Sequence, residues 1–243
     1  MITLCRAGER RCERRDGHEI WLTFSPHHTN GEHSDCFGAL EAFNEVNLPP
    51  GAQLARSPNG DGEIVSYVRS GTLGYEESSG RSGVLCAGEF QRRTARRGVS
   101  YSERNASQTH GAQVFQIWLQ ADGAGLEPGR DQRRFSMAER RGLMCVVASA
   151  DARGGSLLLH QDAAVISTIL TPGQHVVHEL TQRRSSWLHV VQGEVSVGDL
   201  VLTAGDGLGM ASERSVSFTA RGRSEILLVD LGEHRPTDPK ADN

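Results

Sequence analysis

The sequence predicts an all-β protein made of two similar units, and three observations carry that reading. Short apolar runs rich in Val, Leu, Ile and Phe recur between Gly, Asn, Asp and Ser turns, as in "EIVSYVRSG", "VFQIWLQ", "SWLHVVQGEVSV" and "SEILLVDL". Strand alternation marks "VSVGDLVL" and "SVSFTA", while sustained helical periodicity is scarce. Finally, the chain echoes itself: "YVRSGTLGY" followed by "LCAGEF" resembles "HVVQGEVSV" followed by "LTAGDG". Each is an apolar strand, a Gly turn, a second strand, and an A-G-acidic turn into a third.

Taken in order, the opening "MITLCRAGERRCERR" is polar almost from its start and predicts neither a leader nor a membrane span, which places the expected compartment in the cytoplasm. The first β unit follows. The stretch "ADGAGLEPGRDQRR", residues 121–134, has the Gly, Pro and charge content of a connector. Ser136 and Glu139 have capping-box spacing and would open a short helix over "MAERR". The second β unit comes next, and "GEHRPTDPKADN" reads as a polar tail.

Composition narrows the function classes. With 243 residues, 37% of them hydrophobic, the chain can bury a substantial core. Acidic residues outnumber basic ones by 30 to 26, which argues against a chain that coats nucleic acid by general positive charge. The five cysteines are widely spaced and include no C-x-x-C pair, so they read as reduced thiols. No Walker loop, dinucleotide fingerprint, H-E-x-x-H or G-x-S-x-G is present.

Several segments in sequence are similar to the pirin family of two-cupin proteins: "WLTFS" at Trp21, "FGALEAFNE" at Phe37, "EIVSYVRSG", "AGEFQ", "FQIWL" at Phe115, "DQRRF" at Asp131 and "SADARGGSLLLHQD" from Ser149 to Asp162. Their order and spacing cover nearly the whole chain. The resemblance implies two cupin (jelly-roll-like) β-barrel domains with few short helices: an N-terminal domain over 1–125, a C-terminal domain over 126–232 and a tail over 233–243. It also implies quercetin 2,3-dioxygenase activity or transcriptional co-regulation, and a single iron-type ion in the first barrel.

In the family that ion is held by H-x-H on one strand and by a His and a Glu on another. Residues i and i+2 of a strand face the same side and can reach one ion. Here Ser57 and Asn59 fall on the first pair of positions and Tyr101 on the third; only Glu103 keeps the family residue. A hydroxyl, an amide and a phenol are weak ligands for Fe, Ni or Cu unless the phenol ionises. No H-x-H occurs anywhere in the chain, so no shift of register restores the motif. The resemblance is to metal-free pirin-like variants.

The expectation is therefore a pocket floored by Ser57, Asn59, Tyr101 and Glu103 that binds a small molecule without cofactor, in a binding or regulatory role, with a protein partner a further expectation. The alternative is a quercetinase-like oxygenase with one divalent metal such as Fe. Desolvation would raise the Glu103 pKa unless donors stabilise its charge, and Tyr101 and Asn59 are the expected donors, with Arg56 on the other face.

Other groups carry plainer readings. His27, His28, His33, Asp35 and Cys36 sit in a Gly- and Asn-containing loop that could take an adventitious metal, against a solvated loop. His175 and His178 are three apart and would point to opposite faces of a strand. Seven Arg-Arg pairs, beginning at Arg10, Arg14, Arg92, Arg96, Arg133, Arg140 and Arg183, read as solvated faces with local ion pairs, and "RRTARR" could rim the first pocket.

Overall fold

The computed structural model describes residues 1–15, 17–24, 36–54, 62–95, 100–120 and 129–233, and the regular structure within them is nearly all β. In the first half, a seven-stranded sheet runs in spatial order Arg130–Arg134, Glu89–Ala95, Gly62–Ser70, Ala112–Gln120, Leu40–Leu48, His18–Leu22 and Arg11–Arg15. Against it lies a four-stranded sheet of Gln53–Leu54, Tyr101–Asn105, Thr72–Glu77 and Ser82–Cys86. The second half repeats the plan. Its large sheet is Ile2–Cys5, Gly207–Ala211, Ser185–Gln192, Ser224–Leu231, Ala163–Leu170, Cys145–Ser149 and Leu157–Leu158; its small sheet is His175–Glu179, Ser215–Ala220, Glu194–Val197 and Leu200–Thr203. The expected two-unit, jelly-roll-like architecture is present, but as open two-sheet sandwiches rather than closed barrels.

The sequence echo is a structural repeat. In each half a strand of the large sheet meets a glycine at positive φ, Gly71 at 76° and Gly193 at 86°, and the chain crosses there into the small sheet. A Cβ at either position would run into the backbone of the neighbouring segment, so only glycine fits the crossing. The A-G-acidic turns also match. Glu89 accepts a hydrogen bond from the Cys86 N–H at 2.7 Å, and Asp206 accepts from the Thr203 N–H at 2.9 Å. In both, the carboxylate takes the donor three residues back and closes the turn into the next strand.

Alternation along the strands sorts side chains into three cores. The two large sheets pack face to face: Phe43, Val65, Tyr67, Phe90, Phe115 and Ile117 from the first half meet Val147, Val165, Trp187, Leu227, Val229 and Leu231 from the second. The interior of the second sandwich is mostly apolar, with Ile166, Leu188, Leu208, Val216, Phe218, Ile226 and Leu228, and the buried Thr168, Ser186 and Asp230 share the faces of these strands. The interior of the first is apolar at one end only, around Val46, Leu48, Val68, Leu73, Leu85 and Val114.

Two strands cross the sequence division at residues 125 and 126. Ile2–Cys5 adds to the large sheet of the second half through Gly207–Ala211, and Arg130–Arg134 adds to that of the first through Glu89–Ala95. The latter corrects the connector reading of 121–134. Its end is an edge strand whose arginines find partners: Arg130 on Glu77 and Gln91, and Arg133 on Glu139. Residues 121–128 and 234–243 lie outside the described residues. The capping box forms as expected over Met137–Arg140, with reciprocal Ser136 and Glu139 bonds.

The segment from Ser149 to Asp162 joins the halves. It sends Leu157 and Leu159 into the core between the large sheets and directs two backbone N–H groups at Glu63. Glu63 is 1% exposed and accepts from His160 N at 2.7 Å and Gln161 N at 3.0 Å, with His160 Nδ1 at 3.0 Å. Several arginines of the Arg-Arg pairs also depart from the solvated reading: Arg92, Arg93 and Arg140 are buried. Arg92 and Arg93 are adjacent on a strand covered on both faces, so both are buried, and Arg140 lies on the short helix. The described residues include all five cysteines and no disulfide, and no described helix is long and apolar enough to cross a membrane.

Candidate functional site

The polar end of the first sandwich is built from two rows across the large sheet. Cross-strand partners share a face, and the register runs Leu22, Asn44, Gln116, Ser66, Gln91, Gln132 in one row and Ala42, Trp118, Ile64, Arg93, Arg130 in the next. Facing them, the Tyr101–Asn105 strand turns Tyr101, Glu103 and Asn105 inward while Ser102 and Arg104 face out. Asn105 is fully buried and ties down turns, donating to the carbonyls of Leu48, Pro49 and His110. Tyr101 and Glu103 are 5% and 6% exposed. Between the sheets lies a cavity of about 230 Å³, lined by Glu13, Arg15, His18, Ile20 and Leu22, by Asn44, Gln116 and Trp118, and by Leu54, Tyr101 and Glu103 from the small sheet.

Glu103 is held by groups the sequence did not single out. Gln116 Nε2 donates to Glu103 Oε2 at 2.7 Å. The Arg93 guanidinium lies flat on the Tyr101 ring, its Cζ 3.3 Å from the ring centroid. Burial pushes the Glu103 carboxyl up from its ordinary range, opposed by the charge of Arg93, the Gln116 hydrogen bond and the charge of Arg130. Burial, then the Glu103 charge, also pushes the Tyr101 phenol up, so Tyr101 is a neutral phenol at pH 7. Arg130 itself lies over the Tyr75 ring at 3.8 Å and pairs with Glu77 at 2.8 Å.

Of the four expected pocket residues, Tyr101 and Glu103 come together inside the sandwich, and Ser57 and Asn59 lie outside the described residues, as does Arg56. Among the described residues Gln116 donates to Glu103 and Arg93 acts on it by charge, while the expected donor Asn59 lies outside the described residues. Glu63, four residues beyond Asn59, faces the other half instead, because it is one residue out of phase with the inward Ile64. His27, His28, His33 and Asp35 also lie outside the described residues. His175 and His178 diverge as expected: His175 is exposed beside Thr219, and His178 meets Asp230 at 2.7 Å.

Sequence reading placed Arg93 only in a solvated pair or a pocket rim, and missed Gln116, Trp118, Asn44 and His18. A signal existed for two of them: in "VFQIWLQ", Phe115, Ile117 and Leu119 pack between the halves, so the intervening Gln116 and Trp118 must face the other way.

Two family models match the chain, pirin over residues 10–119 and the quercetinase C-terminal cupin domain over residues 146–231. A relative from Escherichia coli (strain K12), named quercetin 2,3-dioxygenase, is 34% identical over 95% of this chain and 99% of its own length. The chain belongs to the pirin family. Among solved structures, YhhW from Escherichia coli superposes on this pirin with a TM-score of 0.88 at 33% identity, covering 96% of this chain and 98% of that one. The bacterial pirin YhhW in complex with nickel(II) gives a TM-score of 0.87 at 34% identity, over 96% and 100% of the two chains. A pirin-like protein from Caulobacter vibrioides is 29% identical over 86% of this chain and 92% of its own. Among the described residues of this pirin, no three His, Cys, Asp or Glu side chains converge as a metal-binding group.

Proposed function

We propose that this pirin-family bicupin binds a small organic molecule in its N-terminal cavity without a metal ion, in a binding or regulatory role. The observation that carries this reading is Arg93, a buried guanidinium stacked 3.3 Å over Tyr101 and acting on Glu103. A divalent cation at Glu103 would share low-dielectric space with that fixed positive charge, and like charges there repel strongly. The donor set agrees: a neutral phenol, a carboxyl group already accepting from Gln116, and by sequence a hydroxyl and an amide at Ser57 and Asn59. These residues do not fit an iron- or nickel-type ion.

The test is metal content by plasma mass spectrometry on untagged protein incubated with Fe(II), Mn, Ni, Cu and Zn and desalted. The expected result is far less than one metal per chain. In Arg93→Met, with the competing charge gone, retention should rise. Stoichiometric metal in the natural protein that disappears in Glu103→Gln would refute the proposal.

A second reading has its own support. A relative 34% identical over 95% of the chain is named quercetin 2,3-dioxygenase, and the nickel(II) complex is of a chain equally similar. On that reading the protein is a metal-dependent oxygenase that holds its ion through Glu103. It requires quercetin turnover that depends on added metal and is abolished by Glu103→Gln, and no turnover in metal-loaded samples would exclude it.

A further inference from the structure

The first small sheet carries a second cavity, of about 450 Å³, on its outer face. Two cross-strand rows build it: Arg104, Gly74 and Val84 in one, and Ser102, Glu76 and Ser82 in the next, with Gln53 beside Arg104. Tyr75, Gly83 and Glu103 also border it but belong to the inward-facing set. Glu103 directs its carboxyl group to Gln116, and Arg130 covers the Tyr75 ring.

Gly74 makes the depression, and the fold does not require glycine there. It sits in mid-strand without the positive φ of Gly71, and the ladders on both sides of it run without a register shift. A Cβ on Gly74 would meet Arg104 Cγ at 3.4 Å and Ala106 Cβ at 3.5 Å, which are ordinary contacts. The repeat gives an independent comparison. Three residues past Gly71 stands Gly74, and three past Gly193 stands Ser196, flanked in its own sheet by Thr219 and Val201 as Gly74 is by Arg104 and Val84. The second half fills the position that the first leaves bare. Glycine weakens a strand interior, and where neither bulge nor bend explains it, it marks close approach by another molecule.

Charge narrows the class of that molecule. Arg104 and Glu76 are exposed, and neither makes an ion pair or a side-chain hydrogen bond among the described residues. Glu77, the next residue, is by contrast held by Arg130 at 2.8 Å. Arg104 leans across Gly74, its Nε 3.5 Å from where the Cβ would stand, which carries the guanidinium over the depression. Glu76, two residues beyond Gly74 on the same face, is its diagonal neighbour. A guanidinium fork takes a carboxylate, and a carboxylate takes an ammonium. A ligand with both charges close together satisfies both side chains, whereas a plain anion or cation meets one partner and one like charge. Val84, 46% exposed, adds an apolar wall.

We propose that this outer face binds a free α-amino acid with an aliphatic side chain. Its carboxylate lies on Arg104, its ammonium on Glu76, and its side chain over Gly74 against Val84. The inference is independent of what the inner cavity takes.

The test is an NMR titration of the backbone amides of the untagged full chain with leucine, 4-methylpentanoate and 3-methylbutylamine. The last two are leucine without its ammonium and leucine without its carboxylate. Leucine should give saturable shifts at Gly74, Val84 and Ser102, with a Kd at least about fivefold below that of either single-charge probe. Arg104→Gln and Glu76→Gln alter exposed side chains and should each weaken leucine about five- to tenfold, the loss of one charge-assisted contact. Gly74→Val, which refills the depression, should weaken leucine by at least as much. If Gly74→Val does not fold, the two charge variants and the probe series still decide. Absent or non-saturating shifts at these amides, a single-charge probe that binds as tightly as leucine, or folded variants that bind as the natural protein does would each overturn the inference.

Discussion

Replacing Arg140 tests how the two halves are held together. Arg140, from the short helix of the second half, is the hub of a buried cluster. Its Nη1 donates to Tyr67 Oη at 3.0 Å, to Glu225 Oε1 at 3.0 Å and to Ser167 Oγ at 3.3 Å. Tyr67, from the first half, donates its own hydroxyl proton to Glu225 Oε1 at 2.5 Å. The Arg140 and Glu225 side chains are only 4% and 11% exposed, so water cannot replace a lost partner. Removing one member of a buried ion pair costs about 3–5 kcal/mol. Arg69 remains 3.3 Å from Glu225 on a more open side, with 25% of its side chain exposed, and sets the expectation at the lower end.

Arg140→Met should therefore destabilise by about 3 kcal/mol, which for a chain of this size lowers Tm by roughly 6–12 °C. Glu225→Gln, which strands the guanidinium instead, should cost about 2 kcal/mol. The double variant should lose about 3 kcal/mol rather than the sum of about 5, a coupling of about 2 kcal/mol. The assay is urea unfolding followed by tryptophan fluorescence and by far-ultraviolet circular dichroism. Trp187 lies in the core between the halves, and coincident transitions justify a single free energy. Additive single effects, or an Arg140→Met cost below about 1 kcal/mol, would refute the buried-hub account.

Three further outcomes follow from the same structure. His189 is fully buried against Phe43 at 4.3 Å, neither ring nitrogen has a partner, and burial and the nearby Arg10 hold its pKa well below the ordinary value of 6.5. It is neutral when folded, while the unfolded chain takes up a proton below about pH 6.5, so stability from this group is complete above that pH and lost as pH falls. His189→Leu should remove a slope of up to about 1.4 kcal/mol per pH unit between pH 6.5 and 5, read as the difference between two pH–stability curves. Gly193→Ala and Gly71→Ala should each cost about 1–3 kcal/mol or more in urea unfolding, since each adds a Cβ at positive φ facing backbone. Glu63→Leu should cost about 1–3 kcal/mol by the same assay, because it leaves the backbone N–H groups of His160 and Gln161 without their acceptor.

The sequence carried the repeat and its turns because local chemistry dictates them. A glycine between two strands and an acidic residue after A-G do the same work at Gly71 and Gly193 and at Glu89 and Asp206. Alternation likewise put Tyr101 and Glu103 on one inward face. What escaped is what depends on partners distant in sequence. An arginine on a strand reads as exposed, and nothing near Arg93 announces that Ile64 and Arg130 flank it in the sheet or that Tyr101 covers it. The move of Ile2–Cys5 to the other half is a pairing across about 200 residues that no local pattern encodes. Barrel closure failed as an expectation for a related reason. Whether sheet edges meet depends on strand tilt and stagger around the whole sheet, not on any one strand.

The two halves share a plan but not an interior, and the difference locates the chemistry. On the central strand of the small sheet, the first half turns Tyr101, Glu103 and Asn105 inward where the second turns Val216, Phe218 and Ala220. On the facing central strand of the large sheet, Gln116 and Trp118 in the first half contrast with Ile226 and Leu228 in the second. The apolar choice is the more stable one, since buried polar groups must recover in hydrogen bonds what they lose in hydration. The second half shows that this architecture tolerates that choice at the matched positions. Polar residues at these matched positions of the first half are therefore not required by the fold, and departures of this kind concentrate where a protein binds something.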